Sequence, residues 1–185
     1  LKNTQGISVR DKNMFELIFI LGFRAGLRIN ETLNIFVRDL LITEDAVMLT
    51  IRNNRNKNQK SYSAYRKIPL HHLLKADELR AFKTYSLNRK RLLKGQGKSL
   101  RQPLFLKQSL KETHENEVNS LLKQLIQPVF EEHSFTYHSL RHSAFNHLYL
   151  VLKNSSLADA FTDYTPHEQL CIRYALVRNK NTQQT

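Results

Sequence analysis

Cysteine is nearly absent from this 185-residue chain: Cys171 stands alone. One thiol permits no intramolecular disulfide and no cysteine-rich metal site, so a reducing, intracellular setting fits. Acidic residues are also scarce. Sixteen Asp and Glu stand against 29 Lys and Arg, a formal charge of +13. That excess predicts a polyanionic partner. Nucleic acid fits better than an anionic membrane, because no basic amphipathic helix or lipidation signal is present. Long hydrophobic runs are missing: the longest, Leu17 to Phe23, is far too short to span a bilayer. The start, Leu1-Lys2-Asn3-Thr4, has neither an initiator methionine nor the apolar core of a signal peptide, which points to a domain excised from something longer. No internal repeat or low-complexity linker divides the chain, so residues 1–185 read as a single domain.

What is present is a globular composition, 41% hydrophobic with aromatics throughout. Ser8 with Asp11 three residues on reads as the cap of a helix carrying Met14, Phe15, Leu17, Ile18, Leu21 and Phe23, apolar on most sides and central to the core. Gly22 and Gly26 loosen the chain before Leu27-Arg28-Ile29-Asn30-Glu31. Asn30 is a suitable cap for a second helix through Leu33 and Phe36, which places Arg28 in a turn at a helix N-terminus, where anions are favoured. Leu40 to Ile51 reads as a hairpin with an acidic Glu44-Asp45 turn. The polar tract from Arg52 to Lys60 reads as an exposed basic loop, and Tyr62 to Ile68 as a third strand stopped by Pro69. The rest is helical: Ala76 to Lys94, Asn116 to Phe130, a stretch from about Ser139 to Lys153, a short helix over Ser155 to Phe161, and a last helix with Pro166 at its first position. The fold class is mainly α with a small antiparallel β-sheet (α+β).

The stretch Phe135-Thr136-Tyr137-His138-Ser139-Leu140-Arg141-His142 draws the site together. On a helix His138 and Arg141 project to one side, while Leu140, Ala144, Leu148 and Leu152 form a stripe that buries another. A histidine and an arginine at the start of a buried helix suit binding and protonating a phosphate; a capping histidine with a solvated arginine would look the same. His142, one residue on, should point away and serve packing or a hydrogen bond.

Four blocks in order resemble the tyrosine recombinases (the phage-integrase family). Gly26-Leu27-Arg28-Ile29-Asn30-Glu31, with Asp39 following, is similar to the first signature, and His138-Ser139-Leu140-Arg141-His142 to the second. The Lys-rich loop, strand and Ile68-Pro69-Leu70 between them are similar to the hairpin that carries a catalytic lysine. Pro166 to Tyr174 is similar to the segment ending in the nucleophilic tyrosine. The resemblance runs from about residue 7 to 176 and implies the tyrosine-recombinase catalytic-domain fold.

It also implies a chemistry: Tyr174 attacks a DNA backbone phosphate to give a 3′-phosphotyrosine and a free 5′-hydroxyl, without metal. Two arginines suit the negative charge that builds on the non-bridging oxygens, and Arg28 and Arg141 match that pair. His138 matches the base for the tyrosine proton and a lysine the acid for the leaving oxygen. Lys60 falls nearest to the family's lysine, with Lys57 the alternative. Arg52, Arg55, Lys57 and Lys60 are expected to touch DNA phosphates. Tyr174 follows Arg141 by 33 residues, as suits the family, but Tyr164 stands where a histidine or tryptophan is usual, and His167 could fill that role from a shifted register.

The expectation is therefore a site-specific DNA recombinase or integrase catalytic domain acting on double-stranded DNA, of bacterial or phage origin, cytoplasmic and nucleoid-associated. A DNA-clamping domain would precede Leu1. A homotetramer on DNA is the family's assembly, and a lone fragment could be monomeric. A catalytically weak or inactive DNA-binding descendant, serving as regulator or accessory subunit, is the alternative, and a type IB topoisomerase-like enzyme a third.

Overall fold

The computed structural model describes residues 7–52, 65–109, 111–128 and 135–178. Its axis is α1 (Val9–Ala25), capped by Ser8, whose hydroxyl accepts from the Asp11 amide at 3.1 Å. Met14, Phe15, Leu17, Ile18 and Leu21 of this helix are all buried, as expected for a helix apolar on most sides. Gly26 ends it at φ +60°, a left-handed conformation that disfavours a side-chain-bearing residue by roughly 1–2 kcal/mol.

The second helix is shorter than the sequence predicts. α2 covers only Ile29–Leu33, and Arg28, not Asn30, occupies its cap position. The Glu31 carboxylate accepts from the Arg28 amide at 2.8 Å, so the helix starts two residues earlier than Asn30 would start it. Phe36 leaves the helix to bridge with Pro103, and a 3₁₀ turn over Val37–Asp39 leads into the sheet. Strands β1 (Leu40–Ile42), β2 (Val47–Ile51) and β3 (Arg66–Pro69) are antiparallel in that order, with Leu40 opposite Leu49 and Leu49 opposite Ile68. The Thr43 amide donates to the Ala46 carbonyl at 2.9 Å across the acidic turn. Pro69 closes β3 on the edge of the sheet, where its missing N–H breaks no central ladder. The beginning of the expected third strand, Tyr62 to Ala64, lies outside the described residues.

Helices α3 (Leu70–Leu73), α4 (Ala76–Gly95), α5 (Glu115–Ile126), α6 (Tyr137–Leu152), α7 (Ala158–Phe161) and α8 (Pro166–Arg178) complete the fold. α6 is the main partner of α1 and begins at Tyr137, earlier than Ser139, with Thr136 at its cap. Leu140 and Ala144 are buried as expected, but Val151, not Leu152, carries the buried face to the helix end, because steps of four overshoot the 3.6-residue turn. α5 starts one residue earlier than predicted, at Glu115, and ends earlier, at Ile126. α7 starts at Ala158 because Ser155 turns back to accept the Leu157 amide at 3.2 Å. α8 begins at Pro166 and packs on α6 and α3, which fixes the last helix against the one that carries Arg141. Among the described residues, no helix is long and apolar enough to cross a membrane.

Candidate active site

A carboxylate, not a histidine, is the centre of the polar cluster where α2, β3 and α6 meet. Glu31 is buried and gathers three guanidinium groups. Arg66 approaches it two-pronged, Nη1 to Oε1 at 3.1 Å and Nη2 to Oε2 at 2.9 Å. Arg28 Nη1 lies 3.2 Å from Oε1, and Arg141 Nη1 3.9 Å from Oε2. Burial alone would raise the Glu31 pKa. The hydrogen bonds from Arg66 and from the Arg28 amide outweigh it and hold the carboxyl below its ordinary value.

The two arginines expected to act together are thus brought to one place, though in different states. Arg28 is 62% exposed and free to meet a ligand from solvent. Arg141 is largely covered: its Nη1 donates to the Gly26 carbonyl and its guanidinium sits 4.6 Å from the centre of the Phe145 ring. Burial, then the charge of Arg28, lowers the Arg141 pKa from its usual value. The left-handed turn at Gly26 therefore does two things. It swings the chain to set Arg28 at the α2 cap, and it offers the carbonyl that holds Arg141.

His138 is on the exposed side of α6, its ring 4.4 Å from that of His142 and nearly perpendicular to it. His142 does not point away as expected. Four residues separate the two histidines, one helical turn, so they share a face. Tyr174 is 61% exposed on α8. Arg52 is an ion-pair partner of buried Asp39, with Nε 2.8 Å from Oδ1, while Asp39 Oδ2 accepts from the Phe36 amide at 2.8 Å. Its position is therefore set by a structural carboxylate. Arg55, Lys57 and Lys60 lie outside the described residues.

Tyr164 is not with the arginine cluster. It is buried, and its hydroxyl donates to the Leu73 carbonyl at 2.8 Å. Burial pushes its pKa up to about 12. The proton that would have served a phosphate is used inside the protein. Over its ring stand Arg24 and Lys75, at 5.2 and 5.4 Å from the centroid. Arg24 is 5% exposed; its Nε and Nη2 donate to Glu78 at 2.9–3.1 Å, and Nη2 reaches Asp163 at 2.7 Å. Lys75 donates to the Asp163 carbonyl and to Glu168 at 2.8 Å. This network ties α1, α4 and the approach to α8 together. His167, the other candidate for the Tyr164 role, is exposed on the first turn of α8 beside Cys171.

Glu31 and Arg66 were the members that sequence reasoning missed. Glu31 is inside the first motif, three residues after Arg28, and a buried acid at that spacing was a readable signal. Arg66 had only its strand position two residues after Ala64 to mark it, and its partner lies 35 residues away.

A comparison with curated proteins finds no match. Among solved structures, the chain resembles the XerH site-specific recombinase bound to its difH substrate in a pre-cleavage complex, at 18% identity and a TM-score of 0.53 over 96% of this chain and 47% of that one. The post-cleavage complex of XerH on a palindromic difH substrate gives the same identity and TM-score over 91% of this chain and 44% of that one. The Tn1549 transposon integrase in complex with a circular intermediate DNA gives 23% identity and a TM-score of 0.48, over 91% of this chain and 52% of that one. The chain thus spans about half the length of these proteins, and the XerH likeness supports the helical fold with its small sheet. The phage integrase family model matches residues 1–175, from before α1 to within α8. With the two arginine motifs inside that span, the chain belongs to the phage integrase family of tyrosine recombinases.

Proposed function

We propose that this chain is the catalytic domain of a site-specific DNA recombinase that cuts and rejoins strands through Tyr174. The observation that carries the proposal is the convergence of Arg28 and Arg141 on Glu31, with Arg28 open to solvent. Two guanidinium groups fixed at one point can bind a backbone phosphate and meet the charge that grows on its oxygens. In the reaction the Tyr174 oxygen bonds to phosphorus and gives its proton to His138. The bond to the 5′ oxygen breaks, and that oxygen takes a proton from a lysine, Lys60 or Lys57. A 5′-hydroxyl attacking the phosphotyrosine reverses the step, so strands can be exchanged without an outside energy source. The basic charge of +13 supports a duplex partner. The XerH structures, solved on DNA substrates, support the same partner by analogy. A second domain closing on the DNA and assembly into a tetramer are part of this proposal.

A DNA-binding descendant without strand cleavage is the second reading. It is favoured by Tyr164, whose hydroxyl is committed to Leu73 and is no phosphate donor. Incubation with nicked suicide duplexes carrying the protein's own recombination site separates the two. The recombinase gives a covalent protein–DNA adduct on a denaturing gel that Tyr174→Phe abolishes. No adduct with the native protein, or an unchanged adduct in the variant, sinks the proposal.

A further inference from the structure

We propose that Arg66 is a positioning residue of this site: it neutralises Glu31, so that Arg28 and Arg141 keep their full charge for the phosphate. The inference rests on the recombinase reading for its chemistry and on the Glu31 cluster for its geometry.

Glu31 is needed where it is. It accepts from the Arg28 amide at 2.8 Å and from the Arg28 side chain at 3.2 Å, which sets the start of α2 and aims Arg28. Yet a buried carboxylate beside two phosphate-binding arginines competes with the phosphate. Water cannot screen it well, because its side chain is 3% exposed. Arg28, Arg141 and Glu31 alone would sum to a single positive charge. Arg66 restores the second with its two-point contact at 2.9 and 3.1 Å. A dianionic transition state then meets two matching charges. The lone Glu31 would instead weaken both phosphate binding and its strengthening in the transition state.

The place of Arg66 in the chain adds a second role. Its backbone is paired with Ile51 at the end of the β2–β3 ladder, and residues 53–64, which include Lys57 and Lys60, join those two strands. The Arg66–Glu31 pair therefore fastens the sheet end from which that segment departs to the helix start that holds Arg28.

The test is a charge-rescue cycle with two readouts. The first is the affinity for inorganic sulfate, followed through the side-chain Nε signals of Arg28 and Arg141. The second is the single-turnover rate of adduct formation on the nicked duplexes. Arg66→Met should weaken sulfate binding and slow adduct formation by about tenfold, the effect of one uncancelled charge at this range. Adding Glu31→Gln should bring both back to within about threefold, since glutamine still accepts from the Arg28 amide. Arg66→Lys keeps the charge and should stay within about threefold of the native protein. Thermal melting identifies a variant that has lost its fold. In that case Arg66→Lys and the double variant decide, and a tenfold loss in either overturns the proposal. A native-like Arg66→Met overturns it too, as does a loss that Glu31→Gln fails to rescue, because that would mark Arg66 as a packing residue. If the native protein forms no adduct, the recombinase reading falls and the sulfate cycle alone decides on Arg66.

Discussion

The Tyr137 ring occupies the space a side chain at position 22 would need: a Cβ on Gly22 would stand 2.7 Å from Tyr137 Cζ. The same tyrosine donates its hydroxyl to the Ile18 carbonyl at 3.1 Å and lies 2.8 Å from the Thr32 hydroxyl. α1, α2 and α6 are thus locked at the first residue of the helix that carries His138 and Arg141. Gly22→Ala should destabilise the domain by roughly 1–3 kcal/mol, as overpacking does. Urea denaturation measures it, and an unchanged midpoint would mean that the ring has room to move.

Arg24 sits between two carboxylates in a nearly closed setting. Replacing it by methionine leaves Glu78 partly buried and without its two-point partner. Losing one member of a buried ion pair costs about 3–5 kcal/mol, toward the low end here because Asp163 is half exposed. Thermal melts should show a drop far beyond that of Arg91→Met, an exposed arginine on α4.

Acid should unfold the domain through its carboxylates. The Glu31 and Asp163 pKa values are both held below their ordinary values. Groups of this kind contribute stability that is fully present above the unfolded-state pKa and is lost as the pH falls through the folded-state value. Burial also holds the His72 and His147 pKa values below their ordinary value, so stability should begin to fall as the pH drops through about 6.5 and fall further below about pH 5 through the carboxylates. Glu31→Gln should flatten that acid limb by up to one proton in the pH slope, read from urea midpoints across pH.

Tyr164→Phe removes one internal hydrogen bond. The expected loss is about 0.5–1.5 kcal/mol of stability. Adduct formation should stay at the native rate, because the hydroxyl serves Leu73. A large fall in rate with unchanged melting would return Tyr164 to the catalytic site.

Arg52→Gln should act on stability before DNA affinity. It strips buried Asp39 of the cation at 2.8 Å. Denaturant midpoints should fall, and the salt dependence of duplex binding should change by less than one phosphate contact.

Local chemistry was legible in the sequence, distant partnerships much less so. Ser8 and Pro166 mark the starts of their helices, because a cap or an N1 proline acts over one turn. Arg28 and Arg141 could be named as a pair from their motifs. That Glu31 would stand between them depends on Arg66, which returns to it from the far side of the hairpin. Tyr164 shows the same limit: its acceptor is 91 residues away, and no spacing rule points from one to the other. The length of α2 was misread because Phe36 finds its partner in Pro103, a contact invisible to helical periodicity.

The ion pair from Arg24 to Asp163 spans 139 residues and joins the first helix to the approach of the last. During synthesis, α1 emerges with a guanidinium destined for the interior and waits until nearly all of the domain has left the ribosome before that partner exists. Its core can form early, but closing the end that carries Tyr174 is a late, long-range event. The Tyr174 hydroxyl, proposed above as the nucleophile, would thus reach its place only after the rest of the domain has formed.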